Sequence, residues 1–478
     1  MQGKKLRPVD SMTEPFVNAA FRAREKLNLQ GVDQLAALTR AILGCVSSDR
    51  RIEIRLSCGE ILRGWLAQEL SLEDAGTLLG RTLDLEAAYR QLLVAEASSW
   101  ASVVCVFCPE TNKPALFCSE ALPFGGSAGV YGFNRHARCL WYIGVVLLNL
   151  SWTNFYDDYP TLALASGGED CVKVQEAFLE LVGWRVSQSP SKRKPMCPSF
   201  QVLGVEFQLE QSVSGVFLIS NRADRVEAIA EQVSSIIARG SLSAAEASSL
   251  MGRFQYSEGQ LFARIGGLML QTLKDVVKRN GTPFLEAELS ESLHWIVGVL
   301  RSAAPRQIRC KETRKPLLVF TDGACEGLEF EIASFGAVMI DIEDGRKEMF
   351  GAYVQESILR HWTESGARQT IGQTELYPVL VARTVWAARM IHRRVFYFID
   401  NDSARDALIR TASASMYSRD ILRSCAEADA VTPQFPWYAR VPTASNLADD
   451  PSRLIFANLS RLGYVLVQCA QKNSLKRK

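Results

Sequence analysis

The sequence predicts three consecutive folding units: an α+β unit at the front, a helical unit in the middle, and an α/β unit with a mixed sheet flanked by helices at the end. Three observations predict it. At 478 residues the chain exceeds one ordinary domain of about 100 to 200 residues. Its 47% hydrophobic and 22% charged residues suit a globular chain with several cores, not a disordered or membrane-embedded one. Hydrophobic periodicity also changes twice: it is mixed to about residue 210, helical from about Asn221 to Leu300, and mixed again from about Lys311.

In the front part, RTLDLEAAYRQLLV places Asp84 at the end of an apolar strand, and LNLSWTNFYDDYPTLAL places Asp157 and Asp158 in a tight hairpin between two apolar strands. A hairpin of this kind projects carboxylates from a sheet edge, as two-metal phosphoryl transfer requires. Adjacent aspartates at a turn also serve as plain capping devices. Tyr89 follows Asp84 by five residues, and its simplest reading is a core aromatic. In ALPFGGSAGVYGFNR, Gly125 offers a backbone free to approach a ligand, and the glycines after it predict a helix that starts late. The basic loop of GWRVSQSPSKRKPMCPSFQVLGVEF offers Lys192 or Lys194, and Leu203 with Gly204 marks a further turn.

The middle part carries helix-start signals such as Ser241-Leu-Ser-Ala-Ala-Glu, and reads as a bundle with Arg253 and Arg264 on helix surfaces. Pro305 and RCKETRKP interrupt it, as a boundary would.

The last part opens on three strands, PLLVFTDGAC, SFGAVMIDI and KEMFGAYV, with Asp322 near the end of the first. TELYPVLVARTVWAARMI then reads as a helix opened by Glu375, with Leu376, Val379, Leu380, Ala387, Met390 and Ile391 on one face. Glu375 in a first turn has a bland reading as a dipole partner. VFYFIDNDSARDAL gives a strand ending in Asp400 and a helix beginning near Asp402. FPWYARVPTASNLADDPSR supplies a strand and a turn into a helix carrying Asp449 and Asp450.

Composition bounds the rest. Lys+Arg 54 against Asp+Glu 52 leaves a net charge of +2, so any nucleic-acid affinity rests on local clusters: Lys4, Lys5 and Arg7, Lys192 to Lys194, and the Lys-rich end. The twelve cysteines lie scattered, many in apolar runs such as ASVVCVF, which reads as buried thiols in a reducing, intracellular compartment. A zinc site at Cys105, Cys108, Cys118 and Cys139 is disfavoured, because the second pair lacks short spacing. The longest apolar stretch, Leu140 to Leu150, is about half a bilayer span, so no membrane partner is expected.

Taken in order, these motifs resemble a retrotransposon reverse transcriptase, Gypsy-like or DIRS-like and shortened at its front, followed by ribonuclease H. Asp84 and FYDD match the two carboxylate motifs of the polymerase, ALPFGG the glycine motif between them, and LGVEF the primer-gripping hairpin. The ordered Asp, Glu, Asp, Asp set and the N-x-A-D-x-x-S-R ending match the nuclease. The resemblance implies a polymerase palm in residues 1–210, a helical thumb in 211–310 and a ribonuclease H-like domain in 311–478. It implies Asp84, Asp157 and Asp158 as polymerase carboxylates, and Arg7, Tyr89, Gly125 and Lys192 as nucleotide contacts. Leu203 and Gly204 would grip the primer, while Asp322, Glu375, Asp400 and Asp449 would be the nuclease carboxylates. Two Mg²⁺ per site, with Mn²⁺ as an alternative, deoxynucleoside triphosphates, an RNA template, a DNA primer and an RNA–DNA hybrid are the implied cofactors and partners. Two rival readings stay open: a polymerase-dead relic that keeps the nuclease, and a non-enzymatic nucleic-acid-binding derivative.

Overall fold

The computed structural model describes residues 12–13, 16–190, 192–259, 266–282, 284–311, 314–326, 332–364 and 370–469. Arg7 and Arg264 lie outside the described residues. The chain is a mixed α/β protein made of two compact units, Met1–Leu218 with Ile308–Lys311, and Ile219–Gln307 with Glu312–Lys478. Among the described residues no helix is long and apolar enough to cross a membrane.

The first unit is built on a three-stranded antiparallel sheet in the order Leu78–Asp84, Asp158–Leu164, Ser151–Trp152. Alternation along these strands turns Leu83, Trp152 and Tyr159 into a core completed by Phe133, Ala137 and Leu140 of helix Ser127–Leu148 and by Phe178 and Leu179 of helix Gly168–Leu181. The long helix starts at Ser127, immediately past the glycine turn, and not late as its composition predicts. Two contacts offset the helix-propensity cost of the glycines. Asn18 accepts from Ser127 N–H at 2.7 Å and donates to Gly125 O at 3.1 Å, and Gly129 packs against Pro123.

ASVVCVF corrects a second expectation. Its strand, Val103–Cys108, pairs with Lys113–Cys118 in a two-stranded hairpin, and among the described residues no further strand joins them. Cys105 and Cys118 are therefore exposed rather than buried, as is Cys139, while Cys108 is half-buried. Among the described residues these thiols are not gathered into a metal-sized group.

The second unit opens with four helices, Ala223–Arg239, Ala244–Glu258, Gly266–Lys278 and Ala287–Ser302. The start signal read from the sequence is a capping box: Ser243 accepts from Glu246 N–H, and the Glu246 carboxylate accepts from Ser243 N–H. Beyond them lies a six-stranded mixed sheet in the order Phe435–Arg440, Arg394–Ile399, Leu317–Glu326, Ile332–Asp341, Lys347–Tyr353, Val465–Leu466. Leu317–Glu326 runs antiparallel to Ile332–Asp341 and parallel to Arg394–Ile399.

Helix Ile371–Val385 lies on this sheet and departs from the sequence reading in two respects. It begins at Ile371, which puts Glu375 in the second turn, and it is buried on all sides from Gln373 to Arg383 instead of along one stripe. Ile391 falls outside it and is exposed. Its far end is fixed by Arg383, which donates to both carboxylate oxygens of Asp429 at 2.9 and 3.1 Å and to Tyr438 Oη at 2.6 Å. Pro378 sits inside it and leaves the Thr374 carbonyl without its helical N–H partner, since proline has none to give.

Candidate metal centre

Three carboxylates of the second unit meet: Asp322 inside Leu317–Glu326, short of the strand end the sequence suggests, Asp400 directly after Arg394–Ile399, and Glu375 in the second turn of its helix. Parallel pairing of Thr321 with Ile399 sets the next residues, Asp322 and Asp400, side by side at two adjoining strands. Glu375 reaches them from its helix, and one ligand atom from each of the three lies within 4.8 Å of the others. This is the only such group of three among the described residues.

The helix gets this close because residue 323 has no side chain. A Cβ there would stand 2.5 Å from Thr374 O and 2.8 Å from Glu375 N, both backbone atoms that cannot yield. The Gly323 N–H also donates to the Glu375 carboxylate, and Asn401 adds a side-chain hydrogen bond. Glu375 is therefore tied to the strand and is no partner of the helix dipole. Changing Gly323→Ala should cost about 1–3 kcal/mol by overpacking and weaken Mg²⁺-induced stabilisation. Thermal denaturation with and without the ion measures both effects.

Gly336 and Gly351 do the same for the turn Asp449–Ser452. A Cβ at 336 would meet Ser452 N at 2.3 Å, and one at 351 would meet Pro451 O at 2.1 Å. The turn thus lies flat on the sheet, and Ser452 Oγ donates to Asp322 Oδ2 at 2.5 Å. Asp449 is not in the group of three. Its Oδ1 accepts from Arg453 at 3.2 and 3.3 Å, yet its charge is still felt at Asp322. Asp450 accepts from Asn458.

The electrostatics are those of uncompensated negative charge. Burial, then Asp322 and Asp400, push the Glu375 carboxyl up to about 8. Burial, then Asp400 and Asp449, push Asp322 up to about 6, against the Ser452 hydrogen bond and the Arg453 charge. Glu375 Oε2 and Asp400 Oδ1 are buried with no hydrogen-bond partner. Buried oxygens of this kind are costly unless something positive satisfies them. A hard divalent cation suits such an all-oxygen set, so the residues present fit magnesium.

In the first unit the hairpin brings Asp84, Asp157 and Asp158 together. Asp84 pairs in register with Asp158, and Tyr156 takes a left-handed φ of 52° to turn the chain. Burial, then Asp157 and Asp84, raise Asp158 to about 7, with Lys192 opposing. Lys192 Nζ sits on Asp84, 2.5 and 2.6 Å from its two oxygens. Its neighbour Arg193 anchors the loop through Glu176 and Gln188. Of the two lysines open to sequence reading, Lys192 is thus the one at the carboxylates. Lys194 is exposed.

Tyr89 stacks on Phe133 at 4.4 Å and lies 4.7 Å from Phe124 in the core. Burial, then Asp157, raise its hydroxyl to about 12, so the ring reaches the neighbourhood of the hairpin. Gly125 takes φ 101° in the turn before the long helix. Leu203 and Gly204, at φ 46° and 82°, form the two-residue turn between Ser199–Val202 and Val205–Gln208. Arg253 is exposed on its helix.

Sequence reasoning assigned no role to Gly323, Gly336 or Ser452. The signal for the first was available, a glycine directly after the aspartate, and Ser452 stands in the N-x-A-D-x-x-S-R ending without a role assigned to it. Gly336 acts across the sheet and leaves no local mark.

No family model matches the chain, and no curated protein matches it. Solved structures do. The foamy viral protease–reverse transcriptase dRH in complex with double-stranded DNA is 12% identical, with 92% of this chain and 74% of that one covered at a TM-score of 0.39. The foamy viral protease–reverse transcriptase in complex with an RNA/DNA hybrid is also 12% identical, over 84% of this chain and 51% of that one, at 0.40. RNase H1 from the halophilic archaeon Halobacterium salinarum NRC-1 is 18% identical, over 30% of this chain and 99% of that one, at 0.23.

Proposed function

We propose that this chain is an RNA-directed DNA polymerase that also cleaves the RNA strand of an RNA–DNA hybrid, each by two-metal phosphoryl transfer. Residues 1–210 would serve as fingers and palm, 211–310 as thumb, and 311–478 as the ribonuclease H-like domain. The single observation that carries the reading is the buried group of Asp322, Glu375 and Asp400, with two oxygens lacking any protein partner.

Asp322, Glu375 and Asp400 would hold the ions in the nuclease, and Asp449 would join them on leaving Arg453. When bound, magnesium supplies Lewis acidity for attack by water and for departure of the 3′ oxygen, leaving a 5′ phosphate. The chain's own part is to keep the carboxylates rigid. The pairing of the two parallel strands fixes Asp322 within one and Asp400 just past the other, and Gly323 with Asn401 fixes Glu375. In the palm, Asp84, Asp157 and Asp158 would hold the polymerase ions, with Tyr89, Gly125 and Lys192 around the nucleotide and Leu203–Gly204 on the primer.

One observation favours the narrower reading, a nuclease whose polymerase is silent. Lys192 neutralises Asp84, and the three palm carboxylates are not gathered as tightly as the nuclease set. Two gels separate the readings. With Mg²⁺, an end-labelled RNA annealed to DNA should be cut, and a chelator should stop it. Intact RNA from folded protein would overturn the nuclease. With all four deoxynucleotides, a DNA primer on an RNA template should be extended, and Asp157→Asn should abolish extension. Cleavage without extension would leave the nuclease-only relic.

A further inference from the structure

Among the described residues, Ser452 is the hydroxyl that touches both the buried carboxylate group of the second unit and the turn beside it. It is fully buried, 2.5 Å from Asp322 Oδ2 and 2.8 Å from the Asp449 carbonyl oxygen. A serine has a single hydrogen to give. At 2.5 Å the contact with Asp322 has the length of a charge-assisted O–H···O⁻ bond, the stronger of the two.

A carboxylate is free to rotate about its last bond unless a donor holds one oxygen. Asp322 has three other neighbours that bear on this. Asn446 Nδ2 stands 3.4 Å from Oδ1, a weak contact, and spends its better bond, 3.1 Å, on the Thr321 carbonyl. Glu375 and Asp400 are acids and repel it. Ser452 alone supplies a short donor, and the side-chain-free surface at Gly336 is what lets the serine's backbone come within reach.

We propose that Ser452 is a positioning residue for the metal centre: its hydroxyl fixes the rotation of the Asp322 carboxylate, so that the free oxygen faces Glu375 and Asp400 before any ion arrives. The inference rests on the reading of these carboxylates as metal ligands, but not on what the loaded protein cleaves. Loss of one hydrogen bond behind a ligand typically weakens metal affinity by about 10–100-fold. The larger cost should fall on binding of the ion, because serine to alanine opens no large cavity and its cost to the fold is limited to the donor that the buried Asp322 Oδ2 loses.

The test is direct binding of Mn²⁺ to the full chain without nucleic acid, followed by electron paramagnetic resonance, for the wild type, Ser452→Ala and Ser452→Cys. Asp400→Asn identifies the signal that belongs to this centre. The expected result is a dissociation constant about 10–100-fold higher in Ser452→Ala, an intermediate value in Ser452→Cys, whose thiol is a weaker donor, and cooperative melting in chelator with only a small fall of the melting temperature. Wild-type Mn²⁺ affinity in Ser452→Ala overturns the proposal, and so does an affinity loss accompanied by an equal fall of the melting temperature in both variants. If the wild type binds Mn²⁺ here and Ser452→Ala does not, yet no hybrid is cut, the positioning role stands and the nuclease reading falls.

Discussion

Asp400→Asn removes metal-dependent cleavage of the hybrid by about a thousand-fold or more, with the folded structure retained. The magnitude follows from what is lost. Metal placement contributes several kcal/mol of transition-state charge stabilisation, and about 1.4 kcal/mol corresponds to each factor of ten in rate. An amide keeps the size of the carboxylate and takes away its charge, in a group where Asp400 Oδ1 has no other partner. The strand that carries it, Arg394–Ile399, is paired on both sides and holds its place whatever follows it. Single-turnover cleavage of an end-labelled hybrid, with circular dichroism as the control for folding, measures the effect. A variant that cuts within ten-fold of the wild type would remove Asp400 from the chemistry.

Glu375→Gln should stabilise the metal-free protein at pH 8 by about 4 kcal/mol, from the upward displacement of its carboxyl at about 1.4 kcal/mol per unit. Its carboxyl, at about 8 in the folded chain against an ordinary 4.5, holds a proton that the unfolded chain has already lost across that window. The wild type therefore loses stability as pH rises from about 4.5 to about 8, and stays at the lower level above that. Glutamine does not titrate and escapes the loss. The two proteins should be equally stable near pH 4.5 in chelator and diverge upward. Mg²⁺ should reverse the order at pH 8, because only the carboxylate gains from the ion. Urea denaturation at pH 5 and pH 8, with chelator and then with Mg²⁺, reads all four values. Equal stability at pH 8 in chelator would mean that Glu375 is ionised without cost.

Asp400 was legible because alternation and turn residues fix where a strand stops, and it stands directly after Arg394–Ile399; Asp322 was found too, but its strand, Leu317–Glu326, runs on past it in pairing with Ile332–Asp341. The hairpin bearing Asp157 and Asp158 was legible for the same reason. Glu375 was found, but in the wrong turn of its helix: Pro378, the eighth residue of that helix, gives no hint of where the helix begins. The cysteines of ASVVCVF were misplaced because an apolar strand is buried only if something covers it, and local sequence does not state what does. Ser452 stood in the N-x-A-D-x-x-S-R motif, but its role, like that of Gly336, could not be read from one chain, since both depend on register between segments more than one hundred residues apart.

The Asp322–Asp400 spacing is governed by neither side chain nor core. It follows from main-chain hydrogen bonding between two parallel neighbours, at about 4.8 Å per strand. Exchanges among the apolar residues beneath, such as Val319 or Tyr397, would drain stability long before they altered the gap that a cation must bridge. The centre is in this sense gauged by the peptide backbone. Damage to it should come first from shifts in strand register or from added atoms at Gly323 and Gly336, and only last from loosened packing.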